Sequence, residues 1–130
     1  MVTDPISDFM IQLKNGGAAR RGAVIVPASN VKQAIAETLV RSGWLKSVVK
    51  RGKKVKKFLA CELVYAAGAP KIVAVRRISK PSRRVYAGAG QVRPVRQGFG
   101  LAVLSTPKGV LTDKEARAAK AGGEVLFEIY

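Results

Sequence analysis

Short apolar runs, separated by glycine, proline and clusters of charge, dominate this chain and limit its fold to short helices and strands. Two early segments carry apolar residues at helical spacing. The first begins at Pro5 and ends near the Gly16-Gly17 pair, and the second follows Ser29, a favoured N-cap residue, and stops at Gly43. A third, shorter helix is predicted further along the chain.

That third helix begins at Thr112, whose hydroxyl together with the carboxylate of Glu115 has the spacing of a capping box, and it runs to about Lys120. Strands are predicted where apolar runs are bounded by turn residues, and residues 87–98 are expected to form a loop. The predicted strands lie at residues 23–27, 44–49, 55–65, 71–79, 83–86, 98–106 and 124–130.

A break in the apolar pattern at SKPS, residues 79–82, indicates a boundary, because Pro81 cannot lie within a central strand. The sequence therefore predicts an α+β fold of two small lobes. Residues 1–78 would form an N-terminal lobe of helix, strand, helix and three strands. Residues 79–130 would form a mostly β C-terminal lobe with one short helix.

Positive charge is concentrated in the middle of the chain. Lys and Arg number 24 against 8 acids, for a net charge of +16, and between residues 38 and 112 the only acid is Glu62. So large an imbalance predicts a polyanionic partner, and a nucleic acid is the usual one. Two alternatives are an anionic membrane surface, which would need a basic amphipathic helix, and a surface that is merely basic and soluble.

Catalysis has few candidate groups in this sequence. There is no histidine, and Cys61 is the single cysteine, so the usual zinc sites and an intrachain disulfide are excluded. Cys61 is expected to be a core residue, because it lies within a strand-like run. We expect no enzymatic activity, no cofactor, no metal and no small-molecule substrate. No apolar run approaches the roughly 18 residues of a membrane span, so a cytoplasmic protein with no membrane partner is expected.

Two segments have side chains suited to RNA. Ser105-Thr106-Pro107-Lys108-Gly109 places hydroxyls on a turn, and these suit the shallow minor groove of duplex RNA, although an ordinary polar turn has the same composition. The turn-like segment KRGKK, residues 50–54, is the tip of a predicted hairpin and is almost purely cationic. Lys53, Lys54 and Lys56 are expected to contact phosphates, or else the tip faces a protein neighbour.

The segments SKPSRRVY and GFGLAVLSTPKGVLTDKEARAAKAGGEV resemble the C-terminal signature of bacterial small-subunit ribosomal protein family eight. The N-terminal TDPISDFMIQLKNG and PASNVKQAIAETLVRSGWL are similar to the first and second helices of that family. The resemblance implies a structural component of the small ribosomal subunit that binds the central domain of its RNA, helps to assemble the platform and touches neighbouring ribosomal proteins. It also implies that the chain can repress translation of its own operon mRNA.

The resemblance further implies which residues bind RNA. Ser105 and Thr106 would enter a minor groove, Tyr86 would lie beside an unpaired base, and Glu124 would accept a hydrogen bond from RNA or brace the loop, unless it only starts a strand. Pro107 stands where many members carry a third hydroxyl. The implied set is Ser105, Thr106, Lys108, Gly109, Tyr86, Glu124, Gly123, Arg83, Arg84, Lys80, Thr3 and Lys32.

Two other functions stay open at this point. A free cytoplasmic RNA chaperone or mRNA-binding translational repressor would share the same charge, but it would not sediment one to one with the small subunit. A nucleoid DNA-binding protein would need a helix that enters the major groove, and the second helix carries only Lys32 and Arg41 as cations.

Overall fold

The computed structural model describes residues 4–130, without the side chain of Gln97, and the chain divides into two compact units. One unit comprises residues 5–73, and the other comprises Asp4 together with residues 74–130. The sequence places the boundary between its two lobes after residue 78, and that boundary stays a prediction. Thr3, one of the predicted RNA-binding residues, lies outside the described part of the chain. Over residues 4–130, no helix has both the length and the apolar character to cross a membrane.

The unit of residues 5–73 packs two helices on a three-stranded antiparallel sheet, with strand order β1-β3-β2, and adds a two-stranded ribbon of β4 and β5. Its elements are α1 (Pro5–Ala18), β1 (Ala23–Pro27), α2 (Asn30–Arg41), β2 (Leu45–Lys53), β3 (Lys56–Leu63), β4 (Tyr65–Ala66) and β5 (Ala69–Pro70).

Both predicted helices of this unit are confirmed, and α2 begins with the expected chemistry. The Ser29 side chain accepts a hydrogen bond from the backbone N–H of Lys32, as an N-cap does. Gly16 and Gly17 lie inside the last turn of α1 and not beyond it. A Cβ on Gly16 would lie 2.5 Å from a methyl of Val24, so this glycine lets α1 approach β1 closely.

The three-stranded sheet buries one face and leaves the other open. Along β1 the side chains alternate, with Val24 and Val26 buried and Ala23, Ile25 and Pro27 exposed. The buried side of β3 includes Leu59 and Cys61. Strands β2 and β3 form the predicted hairpin, and Lys53 pairs with Lys56 at its tip.

The second unit is built around a central strand, β10, and is mostly β as predicted. Its sheet has the order β6-β10-β8-β9, and β7 also pairs with β10. Its elements are β6 (Val75–Arg77), β7 (Tyr86–Ala87), a short 3-10 helix (Val95–Gly98), β8 (Leu101–Thr106), β9 (Gly109–Thr112), α3 (Asp113–Ala119) and β10 (Gly123–Ile129).

Helix α3 and the 3-10 helix cover one face of this sheet. Val95, Ala102, Leu104 and Ala116 form the buried cluster between them. The predicted capping box is confirmed: the Thr112 hydroxyl accepts from the N–H of Glu115, and the Glu115 carboxylate accepts from the N–H of Thr112. These two reciprocal bonds fix the start of α3 directly after β9.

The α+β class is confirmed, but one strand has a different partner from the one that the sequence indicates. The apolar pattern places the run over residues 71–79 in the first lobe, whereas this run forms β6, which pairs with β10 of the second unit. Arg77 anchors it there, because its side chain donates to the backbone carbonyl of Leu126 and is paired with Asp4 at 2.9 Å. Hydrophobic pattern alone does not specify which strand is the neighbour.

Candidate nucleic-acid interface

The turn between β8 and β9 is held by the side chain of Thr106. Its hydroxyl donates to the carbonyl of Gly109 at 2.8 Å and accepts from the N–H of Lys108 at 3.1 Å. Gly109 has φ of +109°, a conformation that favours glycine, and Pro107 lies in the position of the turn that proline favours. The turn is therefore rigid, and the Thr106 hydroxyl is used inside it.

Ser105 differs from Thr106 because successive residues of a strand point to opposite faces. Ser105 is exposed and pairs with Glu124 across β8 and β10, and Glu124 pairs with Tyr86 across β10 and β7. Directly opposed side chains have Cβ atoms about 4.5 to 5.5 Å apart. The structure thus places Tyr86, Glu124 and Ser105 in one row across three strands.

Two consecutive glycines let the strands of this row come together. A Cβ on Gly123 would lie 2.1 Å from the carbonyl oxygen of Ser105, and a Cβ on Gly122 would lie 2.5 Å from that of Ala87. Real Cβ atoms do not approach backbone atoms so closely, so any side chain here would push the strands apart. Gly123, a predicted site residue, therefore acts through its lack of a side chain.

A second turn displays cations beside the row. Lys80 and Arg83 exchange both backbone hydrogen bonds, at 2.8 and 2.9 Å, around Pro81 and Ser82. Ser79, which is fully buried, fixes the base of this loop, since its hydroxyl accepts from the N–H of Val85 at 2.7 Å and donates to the Val85 carbonyl at 3.2 Å. The side chains of Lys80 and Arg83 are consequently presented on a rigid support.

Arg84 forms an ion pair with Glu124, with 3.1 Å between Nη1 and Oε2. Glu124 thereby joins the row to the cationic turn, and its charge is neutralised by a neighbour. The pairing reduces the repulsion that an unpaired carboxylate at this place would exert on an anionic ligand. The ion pair with Arg84 is a contact that the sequence did not indicate, and the predicted roles of Glu124 in RNA contact or in bracing the Ser-Thr loop stay predictions.

Tyr86 presents a ring that is 69% exposed at one end of the row. Bases stack on exposed aromatic rings, and alanine substitution at such positions typically costs about 1 to 3 kcal/mol per base. The ring lies two residues after Arg84 and is paired in register with Glu124. We call the row of Tyr86, Glu124 and Ser105, with the turns 80–83 and 106–109, the C-terminal surface.

Two of the predicted residues, Lys108 and Lys32, use their side chains to contact backbone carbonyls of the protein. The Lys108 amine donates to the carbonyl of Ala119 at 3.0 Å, so it caps the C-terminal end of α3, where a positive charge is favourable. Lys32 belongs to the other unit, and its amine donates to the Pro27 carbonyl at 3.3 Å. Thr3 is outside the described residues.

Sequence reasoning missed Arg76 and Ser79. An open groove of about 580 Å³ runs along β6. It is lined by the cations Arg76, Lys80 and Arg83 and by the apolar residues Val75 and Val85. Arg76 lies four residues before Lys80, and its pairing with Glu128 of β10 holds it in β6 beside the cationic turn. Ser79 could have been found from its position directly before Lys80-Pro81, since serine often fixes turns.

No three side chains among His, Cys, Asp and Glu are grouped so that they could hold a metal ion in the described part of the chain. Cys61 is fully buried, and burial raises the pKa of its thiol to about 11. A protonated, inaccessible thiol is a poor nucleophile, as expected for a core residue.

Comparison with known proteins gives one consistent result. Residues 4–130 match the family model described as Ribosomal protein S8. A protein of Novosphingobium aromaticivorans, named small ribosomal subunit protein uS8, is 43% identical over 129 residues, which cover 99% of this chain and 98% of the relative. Proteins of the same name from Erythrobacter litoralis and Mycoplasmopsis agalactiae are 40% and 41% identical, with the same coverage.

Proposed function

Because the chain belongs to the ribosomal protein S8 family, we propose that its C-terminal surface binds the central domain of small-subunit ribosomal RNA and helps to assemble the platform. Membership itself makes the chain a structural, non-enzymatic component of the small ribosomal subunit, which in bacteria is cytoplasmic, and a partner of ribosomal RNA and other ribosomal proteins. The RNA domain and the residues that contact it are the proposal.

The observation that supports this proposal most is the row of Tyr86, Glu124 and Ser105. An aromatic ring, a carboxylate neutralised by Arg84 and a hydroxyl lie next to one another on three paired strands. Such a set can stack on an unpaired base and exchange hydrogen bonds with base edges or ribose hydroxyls. Its members are held by backbone pairing, so binding costs little conformational entropy.

The cations around the row supply the attraction to phosphates. Lys80 and Arg83 are exposed on their turn, and Arg76 is exposed beside them. Phosphate contacts position a protein on RNA without specifying sequence. We therefore assign affinity to these three side chains and shape recognition to the row, with Lys108 and Gly109 maintaining the turn.

The same surface is proposed to bind the chain's own operon mRNA, where that message contains a helix of similar shape. Repression would follow because one surface cannot bind both RNAs at once. Free ribosomal RNA should then relieve repression in a translation assay in proportion to the amount added. A free RNA chaperone, the alternative that the sequence leaves open, would show no such competition with a single helix.

The proposal is tested by binding the purified chain to total cellular RNA at moderate salt and sequencing the protected fragments. Recovery of one helix from the central domain of small-subunit ribosomal RNA is expected. Protection spread evenly over many RNAs would contradict the proposal, since charge alone would then account for binding. Sedimentation provides an independent check, because the ribosomal role requires about one chain per small subunit.

A further inference from the structure

The open face of the N-terminal sheet carries an apolar groove. Ile25, Pro27, Val55 and Phe58 line it together, along a depression of about 530 Å³ that runs from β1 to the hairpin tip. We call these four residues the apolar groove. The helices pack on the opposite side of the sheet, as the buried alternate residues of β1 and the close approach of Gly16 to Val24 show.

Apolar exposure in this groove is high for a small domain. Ile25 is 64% exposed, and Val55, in the two-residue loop at the hairpin tip, is 94% exposed. Such loops ordinarily carry glycine, asparagine or aspartate. Ile25, Ala60 and Val49 are in register across β1, β3 and β2. The apolar surface therefore continues from the groove across the same face of the sheet. Contiguous exposed apolar surface of this kind marks an interaction site.

Cations surround this groove. Lys53, Lys54 and Lys56 lie at the tip, and the structure of residues 4–130 gives their side chains no hydrogen bond or ion pair. The sheet contains one acid, Glu62, and Lys46 already pairs with it at 3.6 Å. A ligand for this surface must therefore offer both apolar side chains and negative charge.

We infer that the apolar groove is a docking site for a segment of another protein that carries apolar side chains flanked by Asp or Glu. Aliphatic side chains such as Ile25 and Val55 gain free energy when apolar surface covers them. RNA would cover them with ribose and phosphate, and its bases stack on flat rings, whereas Phe58 is half-buried. A protein segment satisfies both the groove and the lysines around it.

This inference goes beyond the proposed RNA contact, because it concerns the other unit and a different class of ligand. The sequence leaves two partners open for the hairpin tip, RNA phosphates and a protein neighbour, and this inference selects the protein neighbour. The lysines at the tip would steer an acidic segment to the groove, as complementary charge accelerates association, and the apolar side chains would hold the segment there.

Photo-crosslinking within the small subunit tests the inference directly. The full chain, with benzoylphenylalanine in place of Val55, is assembled into small subunits and irradiated, and the crosslinked material is digested and sequenced. We expect the main product to be a peptide of another protein that contains both acidic and apolar residues. A main product with ribosomal RNA, or with a second copy of this chain, would overturn the inference.

A pair of matched variants makes the result quantitative. Ile25→Asp adds negative charge inside the groove, and Val31→Asp makes the same change on α2, where Val31 is 50% exposed and outside the groove. Per incorporated chain, Ile25→Asp should reduce the crosslink about tenfold, and Val31→Asp should leave it unchanged. Equal yields from the two variants would overturn the inference.

Discussion

The C-terminal surface and the β2–β3 hairpin both carry exposed lysines or arginines, yet their surroundings differ. On the C-terminal surface the cations flank a hydroxyl, an aromatic ring and a neutralised carboxylate. On the hairpin they flank aliphatic side chains, of which Val55 is almost fully exposed. The first set of neighbours suits RNA, and the second suits a protein segment.

The comparison shows that net charge does not identify a ligand. A charge of +16 predicts attraction to polyanions in general, but the uncharged groups between the cations decide what can bind tightly. On the C-terminal surface, side-chain hydrogen bonds of Ser79 and Thr106 fix both turns. Substitutions that change one of the two regions and leave the other intact test this difference.

The strongest effect is expected from Gly123→Ala, which would place a Cβ 2.1 Å from the Ser105 carbonyl oxygen and force β8 and β10 apart. We expect the free energy of unfolding, measured by urea denaturation, to fall by about 2 to 3 kcal/mol, and tight RNA binding to disappear. Gly90→Ala is the matched control, because a Cβ there meets no atom within 4 Å. Equal stability of the two variants would show that the close approach is unimportant.

Tyr86→Ala should produce the next strongest effect. Removing the exposed ring should weaken binding to the central-domain helix by about 2 kcal/mol, or about thirtyfold, if a base stacks on it. Tyr86→Phe should retain most of this affinity, and Phe99→Ala, which removes a ring that is 83% exposed on the same unit, should have no effect. Comparable weakening by Tyr86→Ala and Phe99→Ala would argue against a specific stacking site.

Salt dependence separates the two sets of cations. Replacing Lys80 and Arg83 with glutamine should reduce the slope of log affinity against log salt by about 0.7 to 0.9 for each phosphate that the protein no longer neutralises. Replacing Lys54 and Lys56 in the same way should leave the slope unchanged, because the hairpin is assigned to a protein partner. A reduced slope in the second variant would place the hairpin on RNA.

The weakest effects are expected from the Ser-Thr pair, whose two members we assign to different roles. Ser105→Ala should weaken RNA binding by about 1 kcal/mol, or about fivefold, with stability changed by less than about 0.5 kcal/mol. Thr106→Val should instead lower stability by about 1 kcal/mol, because it removes both hydrogen bonds inside the turn. Both variants are measured by calorimetric unfolding and by RNA titration. Loss of stability in Ser105→Ala together with loss of RNA affinity alone in Thr106→Val would contradict this assignment.

Local features of this fold could be predicted from sequence because their causes are local. Ser29 and the Thr112–Glu115 capping box each act within four residues, and both are confirmed. The resemblance to the ribosomal family is likewise confirmed over residues 4–130. The predicted loop over residues 87–98 contains only the end of β7 and one short 3-10 helix.

Features that depend on strand pairing could not be predicted. The sequence indicates a turn where the short strand β9 forms and places β6 in the wrong sheet, because β6 pairs with residues about 50 positions away in the chain. For the same reason the row of Tyr86, Glu124 and Ser105 is visible only once β10 is seen between β7 and β8. The ion pair of Arg84 with Glu124 follows from that arrangement.

The decisive experiment compares RNA specificity in two variants of the full chain. Affinity is measured for the central-domain helix and for an unrelated RNA duplex, and the ratio of the two affinities gives the specificity. The first double variant combines Tyr86→Ala and Ser105→Ala, and the second combines Lys54→Gln and Lys56→Gln. We predict that the first variant loses most of its preference for the helix and that the second retains it. Loss of preference in the hairpin variant, with preference kept in the other, would show that the C-terminal surface is not the recognition site.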